Sequence, residues 1–296
     1  MEPFYTLENL HLAAALAKPA RLAVLGNPVA HSASPQMHQA AIDAHDIEAS
    51  YVRLEVKIGQ ISTAFQMMSD MSFFGCNVTV PHKLEAMAAC SEVSEQARLL
   101  GAVNTVVFRN GYSIGYNTDG PGFHNAIADS FGLKLSEIHT VILGAGGGAG
   151  QAIATQCALE KPAQLTLVNR DVAKLDDLRD RLTIISPETQ IQVLSFHDKA
   201  LKKFCLDANL LIQTTSVGLK KNDPALVPDD YFSSKTRIYD TIYQPPETKF
   251  LSSGVAAGCE TDNGMSLLIH QGAIAFQHWF PNTNPLPFMR AAMNQS

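Results

Sequence analysis

The sequence predicts an α/β protein built in two units, on three observations. Short apolar runs alternate with segments of helical period through most of the 296 residues. One such run, Thr140-Val141-Ile142-Leu143, passes straight into Gly144-Ala145-Gly146-Gly147-Gly148-Ala149-Gly150, the pattern of a tight strand-to-helix turn. Upstream, Cys76-Asn77-Val78-Thr79-Val80 meets Pro81, which cannot donate to a sheet and suits a first helical turn, so Lys83 is expected at a strand–helix junction facing a cleft.

Taken in order, residues 10–17 are apolar but follow Glu2 and Glu8 with no basic residue, and so predict a short leading helix rather than a secretion signal. Residues 21–26 predict a buried strand, 35–44 a helix, 51–56 a strand, 60–68 a helix and 76–80 the next strand. Such alternation implies a parallel sheet. Two shorter helices and a β segment at 104–108, turned by Asn110-Gly111, complete the first unit. In the second, apolar strands are expected at 140–143, 165–169, 191–194, 210–213 and 237–243, with helices at 151–159 and 171–182, a doubly wound, Rossmann-like pattern. Residues 264–280 predict a strongly apolar helix, followed by an extended proline-rich stretch and a short last helix.

Composition narrows the function. Hydrophobic residues make up 46% and charged residues 17%, enough apolar material for packed cores. A net charge of -6 without any basic block gives no footprint for nucleic acid. No run approaches the roughly 18 apolar residues of a membrane span. The five cysteines are odd in number and never paired as Cys-x-x-Cys, so neither a disulfide framework nor a metal site is expected, and a cytoplasmic setting is the simpler one. Monomer and homodimer both stay open.

Gly144, Gly146 and Ala149 match the G-x-G-x-x-A spacing of a dinucleotide turn, with Gly147 beside them: glycine permits the turn and the approach of a pyrophosphate, while the third position keeps helix and strand close. The next strand ends in Asn169-Arg170, and Lys174 lies one helical turn on. Two cations where an acid would bind ribose hydroxyls point to the 2′-phosphate of NADP. Asp171 argues the other way, by repelling that phosphate or by capping the helix, and keeps NAD open.

These motifs stand with others in a fixed order: Gly26-Asn27-Pro28-Val29-Ala30-His31-Ser32-Ala33-Ser34-Pro35, Asn77-Val78-Thr79-Val80-Pro81-His82-Lys83, Gly101-Ala102-Val103-Asn104-Thr105, Asn117-Thr118-Asp119-Gly120, Thr214-Thr215-Ser216-Val217-Gly218, Tyr239-Asp240-Thr241-Ile242-Tyr243, then Gly264 and Gln271. From residue 26 to residue 279 the chain resembles the shikimate/quinate dehydrogenase family. The resemblance implies a substrate-binding catalytic domain over 1–118, completed by C-terminal helices at 264–296, and a Rossmann NADP-binding domain over 119–263. It also implies an active site in the interdomain cleft, with hinges at 119–123 and near Asn263. The implied reaction is reversible reduction of 3-dehydroshikimate to shikimate, on the route to chorismate and the aromatic amino acids.

By the same resemblance, Lys83 gives and takes the proton with Asp119 orienting it, direct transfer by Asp119 being the rival assignment. Ser32 and Ser34, assisted by Tyr243, are implied for the carboxylate; Asn77, Thr79, Asn104, Asp119 and Gln271 for the hydroxyls; Thr241 and Gly264 for the cofactor side. From the residues alone, Ser32 and Ser34 also suit a helix cap before Pro35. Gln271 in an apolar helix implies a polar partner, since a lone buried amide costs roughly 1–3 kcal/mol. His31 and His82 are assigned no role. Ser266, Leu267, Thr241 and Gln213 depart from the family pattern near the cofactor, and Tyr116 departs before the Asn-Thr-Asp-Gly turn. Two further readings stay open: an NAD-preferring quinate/shikimate dehydrogenase, and a catalytically silent dinucleotide sensor.

Overall fold

The computed structural model describes residues 4–294, and the chain divides into two units, one running to Asp119 and resuming at Ile269, the other Gly120–Leu268. In chain order the first unit holds β1 (Phe4–Thr6), α1 (Leu10–Ala14), β2 (Ala20–Gly26), α2 (Ser34–Ala44), β3 (Ser50–Glu55), α3 (Ile61–Asp70), β4 (Gly75–Val78), α4 (Lys83–Ala89), β5 (Glu92–Val93), α5 (Glu95–Leu100), β6 (Thr105–Arg109) and β7 (Tyr112–Tyr116). Its sheet order is β1-β3-β2-β4-β6-β7-β5.

That sheet is mixed, which corrects the expectation of a parallel one. β1, β3, β2 and β4 run parallel, but β6 pairs with β4 antiparallel and β7 with β6 antiparallel. The reason is the two-residue Asn110-Gly111 turn: both residues sit at positive φ, 52° and 80°, and so short a connection joins only antiparallel strands. The strand at 76–80 stops at Val78, and Pro81 lies before the helix rather than in it. His82 N–H donates to Thr79 O at 2.9 Å, closing a turn around the proline, and α4 begins at Lys83.

Buried Leu, Val, Ile and Phe side chains from β2, β3, α3, β4 and β6 fill the core of this unit. The single tryptophan, Trp279, seals one side: its Nε1 donates to Val106 O at 2.9 Å. A Cβ on Gly75 would lie 2.3 Å from that nitrogen, so glycine is what lets the indole approach β4.

His38 is fully buried, its ring stacked on Tyr51 with centroids 4.4 Å apart and planes at 3°. Burial lowers its pKa to about 3, against an opposing effect of the Asn77 side chain. The folded-state value lies below the unfolded 6.5, so its contribution to stability is present above pH 6.5 and lost as pH falls towards 3. Between pH 6.5 and 5 the loss is about 2 kcal/mol. Asp240 in the second unit acts oppositely: burial raises its pKa to about 6 from 3.8, so acid relieves a cost there. The expected result is that acid loosens the first unit before the second, and that His38→Phe removes much of the difference in urea midpoint between pH 7 and pH 5. An unchanged difference contradicts this.

In the second unit follow α6 (Asp119–Phe131), β8 (Thr140–Leu143), α7 (Gly148–Leu159), β9 (Gln164–Asn169), α8 (Asp176–Ile185), β10 (Gln190–Ser195), α9 (Leu201–Asp207), β11 (Leu210–Gln213), β12 (Arg237–Asp240), α10 (Lys249–Ala256) and β13 (Thr261–Asn263). All pairings are parallel, in the order β10-β9-β8-β11-β12-β13, which is the doubly wound arrangement with β8 first. Residues 119–123, expected as a linker, carry the chain from the first unit into the second as the first turns of α6. One expectation is corrected: the helix expected over 171–182 is a 3-10 turn, Val172–Leu175, leading into α8, and Asp171 precedes it without a capping hydrogen bond from its side chain.

α11 (Gly264–Trp279) leads back to the first unit, where α12 (Leu286–Met293) packs against α2. No helix among the described residues is long and apolar enough to cross a membrane. All five cysteines are free thiols.

Candidate active site

Lys83 opens α4 and Asp119 opens α6, and Lys83 Nζ donates to Asp119 Oδ2 at 2.6 Å. The two side chains are 34% and 24% exposed, so a ligand can reach both while part of the bulk water is kept away. The loop 101–104 anchors each arm. Val103 N–H donates to Lys83 O at 3.1 Å, and Asn117 Nδ2 donates to Ala102 O at 2.9 Å. Asn117 Oδ1 in turn accepts from Asp119 N–H at 3.0 Å, setting the carboxylate at a helix start, where negative charge is favoured.

Beside this pair lies a buried amide network. Asn77, on β4, donates through Nδ2 to Thr105 Oγ1 at 3.0 Å and Asn104 O at 3.3 Å, while its Oδ1 accepts from the Tyr51 hydroxyl at 2.7 Å. Asn104 Oδ1 accepts from Thr118 N–H at 2.8 Å, the Thr105 and Thr118 hydroxyls at 3.1 and 3.2 Å compete for its second lone pair, and its Nδ2 donates to Thr118 Oγ1 at 3.0 Å. An amide nitrogen has two N–H groups and an amide oxygen two lone pairs. Asn77 therefore keeps a lone pair on oxygen, and Asn104 keeps an N–H on nitrogen.

Ser32 and Ser34 stand apart from that network at the start of α2. Ser32 Oγ accepts from Ser34 N–H at 3.3 Å, so Ser32 takes up a first-turn amide as a capping serine does, while the residue in the cap position is Ala33. The Ser32 carbonyl accepts from Arg53 Nε and Nη2 at 3.0 and 2.7 Å, which fixes the loop. Ser34 is 7% exposed. Thr79 is half-buried, its methyl against Gly26. Gln271 is buried in α11. Tyr243 belongs to the second unit, and burial pushes its phenol up. His82 is buried, with Nε2 against Val56 O at 2.7 Å, and the neighbouring Glu85 accepts from the amides of Gly59 and Ile61 at the start of α3. These are structural ties.

Tyr51, Thr105 and Thr118 belong to the network and sequence reasoning missed them. Tyr51 reads as one more core aromatic; the available signal was tyrosine in a buried strand, whose hydroxyl needs a partner.

In the second unit Gly144 sits at φ +96°, where a Cβ would also meet Thr215 Cγ2 at 2.5 Å. At Gly146 a Cβ would meet Asn169 Nδ2 at 2.6 Å. The third position of the turn is corrected: Ala149 is exposed, and the residue that lets helix and strand close up is Gly150, where a Cβ would lie 2.5 Å from Gly144 O. A cavity of about 480 Å³ opens there, lined by Gly146, Gly147, Asn169, Arg170, Asp171 and Lys174. Asn169 Nδ2 donates to Asp171 O at 2.9 Å, and Lys174 Nζ lies 4.0 Å from Asp171 Oδ2. Two cations thus face the cavity against one carboxylate. The glycine cradle and this charge balance fit a dinucleotide bearing an extra phosphate.

Residues 24–106 match the model of the shikimate dehydrogenase substrate binding domain. A shikimate dehydrogenase (NADP(+)) of Alkaliphilus oremlandii is 35% identical over 272 residues, 91% of this chain and 94% of that protein. The chain belongs to the shikimate dehydrogenase family. Among solved structures, shikimate 5-dehydrogenase from Thermus thermophilus, in complex with NADP(H) and shikimate, is 31% identical with a TM-score of 0.82, over 94% of this chain and 100% of that one. Quinate dehydrogenase from Corynebacterium glutamicum, in complex with NAD, is 26% identical with a TM-score of 0.83, over 93% and 98%.

The departures from the shikimate dehydrogenase pattern have local accounts. Gln213 uses its longer side chain to span the following turn, donating to Val217 O at 2.8 Å and accepting from Thr215 N–H. Thr241 donates to Gln213 O at 3.0 Å. The Ser266 hydroxyl donates to Asp262 Oδ2 at 2.7 Å and lies 3.1 Å from the Tyr239 hydroxyl.

Proposed function

We propose that the chain is an NADP-dependent shikimate dehydrogenase, reversibly reducing 3-dehydroshikimate to shikimate in the cytoplasm, on the route to chorismate and the aromatic amino acids. The observation that carries this reading is the 2.6 Å Lys83–Asp119 pair beside two amides with one hydrogen-bonding position each to spare. A silent sensor has no use for a proton pair. Residues 1–118 with 264–296 form the proposed catalytic domain and 119–263 the proposed dinucleotide domain.

NADP, when bound, supplies or accepts the hydride. The chain holds it by the first-turn amides of α7 and the glycines at 144, 146 and 147, next to Ala149, with Asn169, Arg170 and Lys174 at the 2′-phosphate and Thr241 and Gly264 on the nicotinamide side. Ser32 and Ser34 take the substrate carboxylate, and Tyr243 is a further donor to it. Asn77, Thr79, Asn104, Asp119 and Gln271 read the hydroxyls. In the reductive direction the Lys83 ammonium passes a proton to the carbonyl oxygen while Asp119 holds it in line; in the oxidative direction the neutral amine takes that proton back.

Arg170 is exposed and makes no ion pair among the described residues, so its charge is available to a phosphate. Losing one charge-assisted contact costs about 10- to 100-fold in affinity. Arg170→Ala is therefore expected to raise KM for NADP by about that factor and KM for NAD by less than about twofold; an equal rise for both removes the arginine from the phosphate site. Asp171 in the same cavity is the observation favouring an NAD-preferring enzyme acting on quinate as well. Absorbance at 340 nm, with shikimate and quinate each tested against NADP and NAD, decides between them. Shikimate with NADP is expected to be the fastest pair. Preference for NAD overturns the cofactor assignment, preference for quinate overturns the substrate, and tight nucleotide binding without turnover supports a sensor.

A further inference from the structure

His38 lies outside every motif that points to the reaction, yet it is packed against the substrate network. Its ring is fully buried on α2, between Tyr51 on β3 and Phe276 and Trp279 on α11, at centroid distances of 4.4, 6.3 and 5.5 Å. Neither ring nitrogen completes a hydrogen bond. Leaving such polar atoms buried and unpaired costs stability, so an apolar side chain would serve the core better. The Asn77 side chain opposes the fall of the imidazole pKa, but no ring nitrogen reaches hydrogen-bond geometry, and the close contact is through the ring face. That face lies flat on Tyr51, at 3°, and the Tyr51 hydroxyl donates to Asn77 Oδ1 at 2.7 Å.

We propose that His38 is a positioning residue for substrate recognition: its stacked ring fixes the tilt of Tyr51, and Tyr51 fixes the amide of Asn77 with its oxygen end towards the substrate. The donor end of Asn77 is already spent on Thr105 and Asn104. An amide held this way offers one oxygen lone pair and no free N–H, so the substrate group it meets is a donor, a hydroxyl rather than a carbonyl or ether. Without the flat neighbour the phenol tilts, its hydroxyl swings away, and the amide loses its third tether. This inference rests on the reading of the chain as a shikimate dehydrogenase.

The test compares steady-state kinetics of wild type, His38→Leu, His38→Phe, Tyr51→Phe and the double variant His38→Leu/Tyr51→Phe. His38→Leu is expected to raise KM for shikimate about tenfold, with kcat changed less than about threefold and KM for NADP unaltered. His38→Phe, which keeps the flat ring, restores most of that loss. The double variant is no worse than Tyr51→Phe alone, because both changes remove the same hydroxyl contact. A KM for shikimate within about twofold of wild type in His38→Leu, a loss in His38→Phe equal to that in His38→Leu, or effects that multiply in the double variant each overturn the proposal. Should His38→Leu not fold, His38→Met is read in the same way. A wild-type chain that does not turn over shikimate sinks the parent reading, whereas unaltered variants of an active wild type sink this inference alone.

Discussion

Lys83→Ala lowers kcat for shikimate oxidation by about 10²- to 10⁴-fold and leaves KM for shikimate within a few-fold of wild type. The size follows from what is removed. Nζ is the donor that meets Asp119 at 2.6 Å, and proton transfer at the reacting oxygen needs a group held in place, not one recruited from water. The proposed binding contacts lie elsewhere, on Asn77, Asn104 and the serines of α2. The fold should survive, because Val103 N–H bonds to the Lys83 backbone carbonyl and an alanine keeps that carbonyl. kcat and kcat/KM are then expected to fall together, the mark of an interaction made in the transition state. Wild-type turnover removes Lys83 from the mechanism, and a loss confined to KM makes it a binding residue.

Gly264→Ala is expected to destabilise the protein by about 3 kcal/mol or more and to weaken NADP binding. The added Cβ would lie 2.1 Å from Thr241 O and 2.7 Å from its carbonyl carbon. Both are backbone atoms, so no side-chain rotation relieves the clash. Gly264 N–H also donates to Ile242 O at 3.2 Å, which pins the start of α11 to the segment after β12. Relief requires these two to separate, and Thr241 would be pulled from Gln213 O, which it holds through N–H and Oγ1. For a unit of this size the expected fall in Tm is about 6–12 °C. An unshifted Tm with an unshifted KM for NADP would show that the approach is not tight.

Much of the second unit was legible in the sequence because its strands are continuous apolar runs, and a parallel sheet buried on both faces demands such runs. The first unit was half legible. Alternating strands and helices suggest one parallel sheet, but alternation counts elements and says nothing of direction; the direction is carried by the Asn110-Gly111 turn. Helix starts were misplaced where a local turn intervened, at Pro81 and at Val172–Leu175. In the glycine run, spacing alone could not tell Ala149 from Gly150 as the tight position, since that depends on which side of α7 meets Gly144.

The site was legible through its motifs and not through its geometry. Nothing in a separation of 36 residues sets the distance between Lys83 and Asp119; the hydrogen bonds that tie the Lys83 carbonyl and the Asn117 side chain to the loop at 101–104 do that. Tyr51 and Thr105 escaped because polar residues within strands look alike whether they serve a core or a ligand, and Thr118 because it lies in the short connection between β7 and α6. The Asp171 side chain, expected as a possible cap, makes no capping bond, and its place in the cavity lining keeps it relevant to the cofactor.

The most direct test of the central claim is a crystal structure of this chain with shikimate bound. The reacting hydroxyl oxygen is expected within about 2.6–3.2 Å of Lys83 Nζ or of the Asp119 carboxylate. Shikimate bound with that oxygen beyond hydrogen-bond reach of both groups would contradict the account.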